Sequence, residues 1–185
     1  NFDECTATVT VVDDISPVAA CKNITVNLSS PTVAASAVDD GSSDNCGITS
    51  RLINGTASRT FTCANLGPNV VTLRVMDAAG NFATCASTVT VVDDIVPTAE
   101  CRNVTVNLSA PTLAATSVNN GSTDNCGVAS ILVDGAASRT FTCADLGPNT
   151  VTLSVSDAAG NTATCPATVT VVDDIAPVAV CKDAT

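Results

Sequence analysis

The stretch Thr88-Val89-Thr90-Val91-Val92-Asp93-Asp94-Ile95, with Pro97 just beyond it, decides the fold. Thr and Val alternate from Thr88 to Val91, so one edge of the stretch carries methyls and the other hydroxyls. That is the period-two pattern of a half-buried β-strand. The acidic pair ends the strand, and the proline fixes an extended turn with no N–H to continue a ladder. The same eight residues stand at Thr8 to Ile15, before Pro17, and at Thr168 to Ile175, before Pro177. Each copy therefore reads as the last strand of one module, an acidic hinge, and the entry to the next.

The copies are offset by 80 residues, since 93 − 13 and 173 − 93 agree, and the cysteines keep the same step. Cys5, Cys85 and Cys165 form one series and Cys21, Cys101 and Cys181 another, while Cys46 matches Cys126 and Cys63 matches Cys143. A fixed period of this size is the mark of a tandem array. The expected boundaries are the C-terminal strand of a preceding module at 1–16, whole modules at 17–96 and 97–176, and the start of a following module at 177–185. A module this small has one core, and that core is marginal without covalent staples.

Ten cysteines at regular spacing supply those staples as disulfides, which implies a secreted, extracellular or cell-surface setting. No C-x-x-C pair suggests zinc, and histidine, tryptophan and tyrosine are absent. A net charge of −11 argues against nucleic acid or an anionic membrane as partner. No apolar run approaches the roughly 20 residues that span a bilayer.

Within one module, Ile24, Val26 and Leu28 alternate with Asn23, Thr25 and Asn27, a strand with a dry and a wet side. Cys21 has the wrong parity for the dry side, which predicts a bend before Ile24. Thr32 to Val38 is expected to return as a strand of small residues, and 39–45 to form a loop. Asn54-Gly55, and Asp134-Gly135 in the second module, are strong hairpin signals because a type I′ turn needs φ > 0 twice. A two-residue turn there pairs Ile53 with Thr56, Ile48 with Phe61 and Cys46 with Cys63. With Ile53/Thr56 a bonded pair, the cysteines fall on a non-bonded one, where side chains lie closest. The second module gives the same register for Cys126/Cys143. Granted those bridges, Cys21–Cys85 and Cys101–Cys165 remain to tie the first strand to the last.

Val71, Leu73 and Val75 form an inward stripe, Asp77 to Asn81 a tight loop, and Phe82 to Val92 the final strand. The expected fold is all-β, a tandem of immunoglobulin-like β-sandwich modules of period 80, disulfide-stapled. Six strands are legible where an end-to-end string needs an odd number. Either Ala64 to Asn69 holds a short strand, or it crosses between sheets unpaired.

The combination Cys-x-Asn-Ile-Thr-Val (21–26), Asp-Asn-Cys-Gly (44–47), Leu-Gly-x-Asn-x-Val-Thr-Leu (66–73), Asp-x-x-Gly-Asn (77–81) and Cys-x-x-x-Val-x-Val-x-Asp (85–93) resembles the hyalin-repeat family. Its four-cysteine form in secreted bacterial multi-repeat proteins is the nearest in pattern. The resemblance covers both full modules. It implies an immunoglobulin-like fold, an adhesive or architectural extracellular role, and no catalytic residues.

In such a sandwich two sets of loops gather at the end where the preceding hinge arrives. Asp13 and Asp14 would there meet Asp39, Asp40 and Asp44 from one loop and Asp77 and Asn81 from another. Clustered carboxylate and amide oxygens suit a hard cation, calcium before magnesium. The competing reading is that Asp, Asn and Gly simply favour turns. The second joint keeps Asp93, Asp94, Asp124, Asp157 and Asn161 but has Asn119 and Asn120 for Asp39 and Asp40, which makes those two positions dispensable as ligands. Sequons at Asn23, Asn27, Asn54, Asn103, Asn107 and Asn120 are candidate glycan sites, or the chance product of Thr-rich strands.

Catalysis finds no base of the usual kind, no nucleophile elbow, and an aromatic content of only 2% to line a pocket. The functional expectation is a non-enzymatic segment of a long fibre or stalk, rigidified by disulfides and by calcium at its joints. Its partners would be further copies in line, lateral neighbours, and glycans. The alternative is an adhesive module that binds carbohydrate or a surface protein.

Overall fold

In the computed structural model, which describes residues 2–181, contacts divide the chain into two compact units, Asn1–Asp93 and Asp94–Thr185. Unit 1 is built on a four-stranded sheet in the order β1-β6-β5-β3, from β1 (Ile24–Asn27), β3 (Ser50–Ile53), β5 (Gly67–Met76) and β6 (Phe82–Val92). Against it lies the pair β2 (Thr32–Ala34) and β4 (Ser58–Thr60). The long antiparallel ladder of β5 and β6 runs from Gly67↔Val91 to Met76↔Phe82, and β1 joins β6 in parallel from Ile24↔Val89 to Asn27↔Val92. This is an immunoglobulin-like β-sandwich.

Unit 2 repeats the plan. Its larger sheet runs β7 (Val104–Asn107), β12 (Thr162–Val172), β11 (Gly147–Asp157) and β9 (Val128–Val133). β8 (Thr112–Ala114) pairs with β10 (Ser138–Thr140), and a short helix, α1 (Ala115–Val118), follows β8.

The alternation read in the sequence is the alternation of the core. Val71, Leu73 and Val75 of β5 and Val89 and Val91 of β6 are all at most 2% exposed. Burying each such side chain is worth about 1.5–3 kcal/mol, so these two strands carry much of the apolar stabilisation. Disulfides Cys21–Cys85 and Cys101–Cys165, with Cα atoms 5.9 and 6.0 Å apart, link the beginning of each unit to its last strand.

Four expectations need correction or completion. The first concerns Thr8 to Ile15. Its sequence is that of β6, yet residues 2–16 form no strand, and Val9, Val11 and Val12 are 84%, 92% and 74% exposed. The cause is the lack of a partner. Thr88–Val92 is clasped between β5 and β1, and no strand of the described residues flanks Thr8–Val12. β-Propensity expresses fit to a ladder rather than a backbone preference. Amides of Val9 to Val12 should therefore exchange with solvent orders of magnitude faster than those of Val89 to Val92, despite identical sequence. Equal protection in a residue-resolved exchange experiment would contradict this. At the other end, the expected module start at 177–185 lies partly outside the described residues, and 177–181 carry no strand.

Second, the hairpin splits. Asn54 (φ 49°) and Gly55 (φ 86°) make the turn, and Ile53 pairs with Thr56. Past that pair the arms diverge, β3 joining β5 and β4 joining β2. Ile48 and Phe61 never face each other in a ladder, and neither do Cys46 and Cys63. Cys46 and Cys143 are exposed free thiols, so the bridges Cys46–Cys63 and Cys126–Cys143 are not formed. The turn was legible; the change of sheet just after it was not, because both arms keep strand-like alternation.

Third, Thr32–Val38 is strand only to Ala34. Ala35–Ala37 coils into a 3₁₀ turn, tucking Ala35 and Val38 into the core at 2% and 0% exposure. Fourth, Ala64–Asn69 neither holds a separate strand nor crosses unpaired: Cys63–Asn65 forms another 3₁₀ turn, and Gly67–Asn69 already belong to β5, paired with Val89–Val91. The first strand is itself divided. Val18 bridges to Ser43 and Cys21 to Asp39, after which the chain bends and β1 joins the larger sheet. That bend resolves the parity of Cys21.

Candidate metal centre

In unit 1 three elements bring carboxylates together: the hinge at Asp13, the loop at Asp44 and the β5–β6 turn at Asp77. One oxygen from each lies within 4.8 Å of the others. The turn is self-sufficient. Asp77, 3% exposed, accepts at Oδ1 from the N–H groups of Gly80 and Asn81 (2.7 and 2.9 Å) and at Oδ2 from Asn81 Nδ2 (2.8 Å). Gly80 at φ 98° lets the chain curl around that carboxylate.

Asp44 and Asp13 are only half satisfied. Asp44 accepts from the Cys46 N–H (2.9 Å) at one oxygen, while its other is buried without a partner. Asp13 Oδ1 accepts from the Ile15 N–H (3.2 Å) and Asn45 Nδ2 (3.3 Å), and Oδ2 is buried without a partner. The Ile15 N–H first and then the Asn45 amide hold the Asp13 carboxyl below its usual value, against a smaller opposing effect of burial. Asn81 also donates to the Asp13 carbonyl (3.1 Å), which pins the hinge to the turn. Asn45, absent from the expected set, is thus a positioning residue. Its place in Asp-Asn-Cys-Gly was visible, but its reach to Asp13 was not.

Two like charges about 5 Å apart repel by roughly 3 kcal/mol at an effective dielectric of 20. Two orphaned, buried carboxylate oxygens facing a third acid are therefore costly unless a cation lies among them. The donors are all hard oxygens, which fits calcium or magnesium. The Cys46 thiol stands beside the group, and the Asp13 carboxylate next to it pushes that thiol up.

Other expected residues are used differently. Asp14 is exposed and outside the group. Asp39 turns away to Arg51 Nε (2.6 Å) and to the N–H and hydroxyl of Ser42 (3.0 and 2.5 Å). Burial opposes its ionisation, yet the Ser42 bonds and the Arg51 pair outweigh burial and hold its carboxyl below 3.8. The anion is thus favoured on folding. Its contribution is complete above the unfolded value and lost as pH falls through the lower, folded one. Arg51→Ala should therefore move the acid-unfolding midpoint of unit 1 to higher pH. Unit 2, with Asn119 and Ile131 at these positions, is the internal reference. An unmoved midpoint would show the pair to be idle.

Unit 2 repeats the parts. Asp124 accepts from the Cys126 N–H (2.8 Å) and buries one oxygen without a partner. Asp157, 5% exposed, accepts from the N–H and amide of Asn161 (2.8 and 2.7 Å). Burial works against the Asp157 anion, but these bonds and those from Gly160 and Ala159 prevail and lower its pKa. Asp93 closes unit 1 as a 4%-exposed residue, and Asp94 follows it as the first residue of unit 2.

The six sequon asparagines are all exposed. Asn23, Asn103 and Asn54 spend their Oδ1 on the N–H groups of Thr88, Thr168 and Thr72, each at 2.8 Å. A groove of about 410 Å³ in unit 2 follows β7 and β8, and its lining includes none of the clustered acids. Among the described residues, no helix is long and apolar enough to cross a membrane.

No family model matches the sequence, and no curated protein matches it. Among solved structures, human protocadherin-24 EC1-2 is similar at a TM-score of 0.44 and 13% identity, covering 87% of this chain and all of that one. Immunoglobulin domains 1–4 of Sidekick-1 give 0.44 and 10%, covering 85% of this chain and 49% of that one. Extracellular cadherin domains 1–4 of protocadherin gamma B7 give 0.41 and 9%, covering 87% and 52%. The chain thus spans about half the length of the last two. At these scores the likeness carries no functional weight.

Proposed function

We propose that the chain is a segment of a secreted or cell-surface fibre made of hyalin-repeat-like modules, stapled by disulfides and stiffened at each joint by calcium. The observation that carries this reading is the Asp13–Asp44–Asp77 group with its two buried, unpartnered oxygens. Asp13 belongs to the hinge and the other two to the body of the module, so a bound cation would tie one to the other. Asp124 and Asp157 of unit 2 recur 80 residues after Asp44 and Asp77. Further copies in line are the natural partners, with lateral association and glycans at the exposed sequons as additional contacts.

Calcium at about 100 times its dissociation constant should raise stability by about 2.7 kcal/mol per site. Asp44→Asn should remove most of that gain in unit 1 while raising the calcium-free melting point, because it relieves the repulsion among the three acids and its amide oxygen can still accept from the Cys46 N–H. Calorimetric titration and melting with calcium or chelator would check it. Melting that is indifferent to calcium in both proteins would defeat the calcium joint but leave the fibre standing.

A second reading, an adhesive module, is favoured by one observation: unit 1 carries an Arg74–Phe82 stack on its outer face that unit 2 lacks.

A further inference from the structure

Over the outer face of their larger sheets the two units differ at Val70 (Thr150), at Ala86 (Pro166) and, most sharply, at a cluster of three neighbouring positions. Arg74, Met76 and Phe82 of unit 1 stand where unit 2 has Ser154, Ser156 and Thr162. On β5, Arg74 and Met76 alternate with the buried Leu73 and Val75, so both lie on the outer face. Cross-strand pairing sets Met76 opposite Phe82, and Arg74 opposite Thr84 on one side and Leu52 on the other. Register, not sequence proximity, assembles the patch.

Within it, the Arg74 guanidinium lies 4.0 Å from the Phe82 ring centroid, and Nη2 is 3.9 Å from Met76 Sδ. Nε is buried without a partner. The ion pairs among the described residues engage Arg51 and Arg139, not Arg74. Phe82 remains 52% exposed. In a chain with 18 acids and 7 bases, a stacked cation left without a carboxylate is a preorganised anion anchor. Stacking holds the planar fork in place before any ligand arrives, so little freedom is lost on binding.

The chemistry around the anchor narrows the ligand. Thr72 and Thr84 lie on the same face and offer hydroxyls, and the half-exposed ring offers an apolar surface. The face is open sheet, which suits a flat, extended ligand. A stable protein interface buries about 1,200 Å² or more around an apolar centre. Beyond Leu52, Met76 and Phe82 this face is mostly Thr, with Val70, Ala86 and Val92 dispersed among Thr72, Thr84, Thr88 and Thr90, so no continuous apolar centre forms.

We propose that this face of unit 1 binds a carboxylate-bearing saccharide. The sugar carboxylate takes the Arg74 Nη groups, a C–H face of the pyranose rests on Phe82, and its hydroxyls meet Thr72 and Thr84. This deepens the adhesive reading and does not depend on calcium.

The test titrates the full chain with an oligogalacturonate at physiological salt, in chelator, by nuclear magnetic resonance. Chelation separates the outcome from the metal joint, so failure here leaves that reading untouched. Saturable shifts confined to β3, β5 and β6 of unit 1 are expected. The triple variant Arg74→Ser, Met76→Ser, Phe82→Thr should bind about tenfold more weakly or worse. Unit 2 shows that the same sheet accepts those residues. Arg74→Lys, which keeps the charge and loses the planar stack, should weaken binding less than the triple change. Unaltered affinity in the triple variant would overturn the proposal. So would equal binding of a neutral oligosaccharide of the same length, or of polyglutamate, which offers carboxylates without a sugar.

Discussion

Replacing Cys21 and Cys85 together by alanine should lower the stability of unit 1 by about 4 kcal/mol. The bridge closes a loop with a sequence separation of 64. Loop-closure entropy for that length, about 14 cal/mol/K, gives roughly 4 kcal/mol at 25 °C. A domain of this size holds about 5–15 kcal/mol in total, so the loss would leave the module near its threshold. The effect acts on the unfolded chain, which regains its freedom, more than on native packing. Cys101–Cys165 closes a loop of the same separation, 64, so the equivalent change should cost unit 2 as much. Urea unfolding followed separately for each unit would measure both. A loss under about 1 kcal/mol in either would mean that the bridge constrains nothing the sheet does not already hold. A covalent tie between the first segment and the last strand also keeps a locally opened unit from unravelling.

How much could be read from the letters follows the range of the interaction. β5 and β6 were legible because their alternation is local and their partners are adjacent in sequence. The Asn54-Gly55 turn was legible for the same reason, since two positive φ values are demanded on the spot. The parting of β3 from β4 was not, because it is decided by competition for edges with β5 and β2. Thr8–Val12 shows the same limit from the other side, a good strand sequence that remains unpaired. At the candidate metal centre the 80-residue repeat exposed Asp13, Asp44 and Asp77 as recurring acids. The same comparison set aside Asp39, and the structure supplies the reason, its pairing with Arg51. Arg51 becomes Ile131 just where Asp39 becomes Asn119, so the pair is gained or lost as a whole. The stack of Arg74 on Phe82 was beyond reach, because eight residues of sequence say nothing of a cross-strand neighbour until the register is known.

Phe61→Ala should cost unit 1 about 3–5 kcal/mol, the range for removing a buried phenylalanine ring. Phe61 is 1% exposed and follows β4, where its N–H donates to the Pro31 carbonyl (3.0 Å). The chain has four phenylalanines and no tryptophan or tyrosine, and both Phe2 and Phe82 are exposed. The core of unit 1 therefore contains one aromatic ring, surrounded by Val, Leu, Ile and Ala. Such short side chains cannot swing into the void, so the cavity contribution should be nearly complete. The Arg59 guanidinium, 5.0 Å from the ring centroid, would lose a stacking partner worth about 0.5–1 kcal/mol at an exposed site. Phe61→Leu retains most of the volume and should cost about half as much or less. Phe141, 2% exposed, should reproduce the whole series in unit 2. Denaturant midpoints at unchanged slope would report these losses. A cost under about 1.5 kcal/mol would require the two sheets to close over the gap. Neither variant should alter the calcium response, because Phe61 is not among the clustered acids and sites without shared partners act additively. A changed calcium response in Phe61→Ala would mean that core packing and the Asp13–Asp44–Asp77 group are coupled.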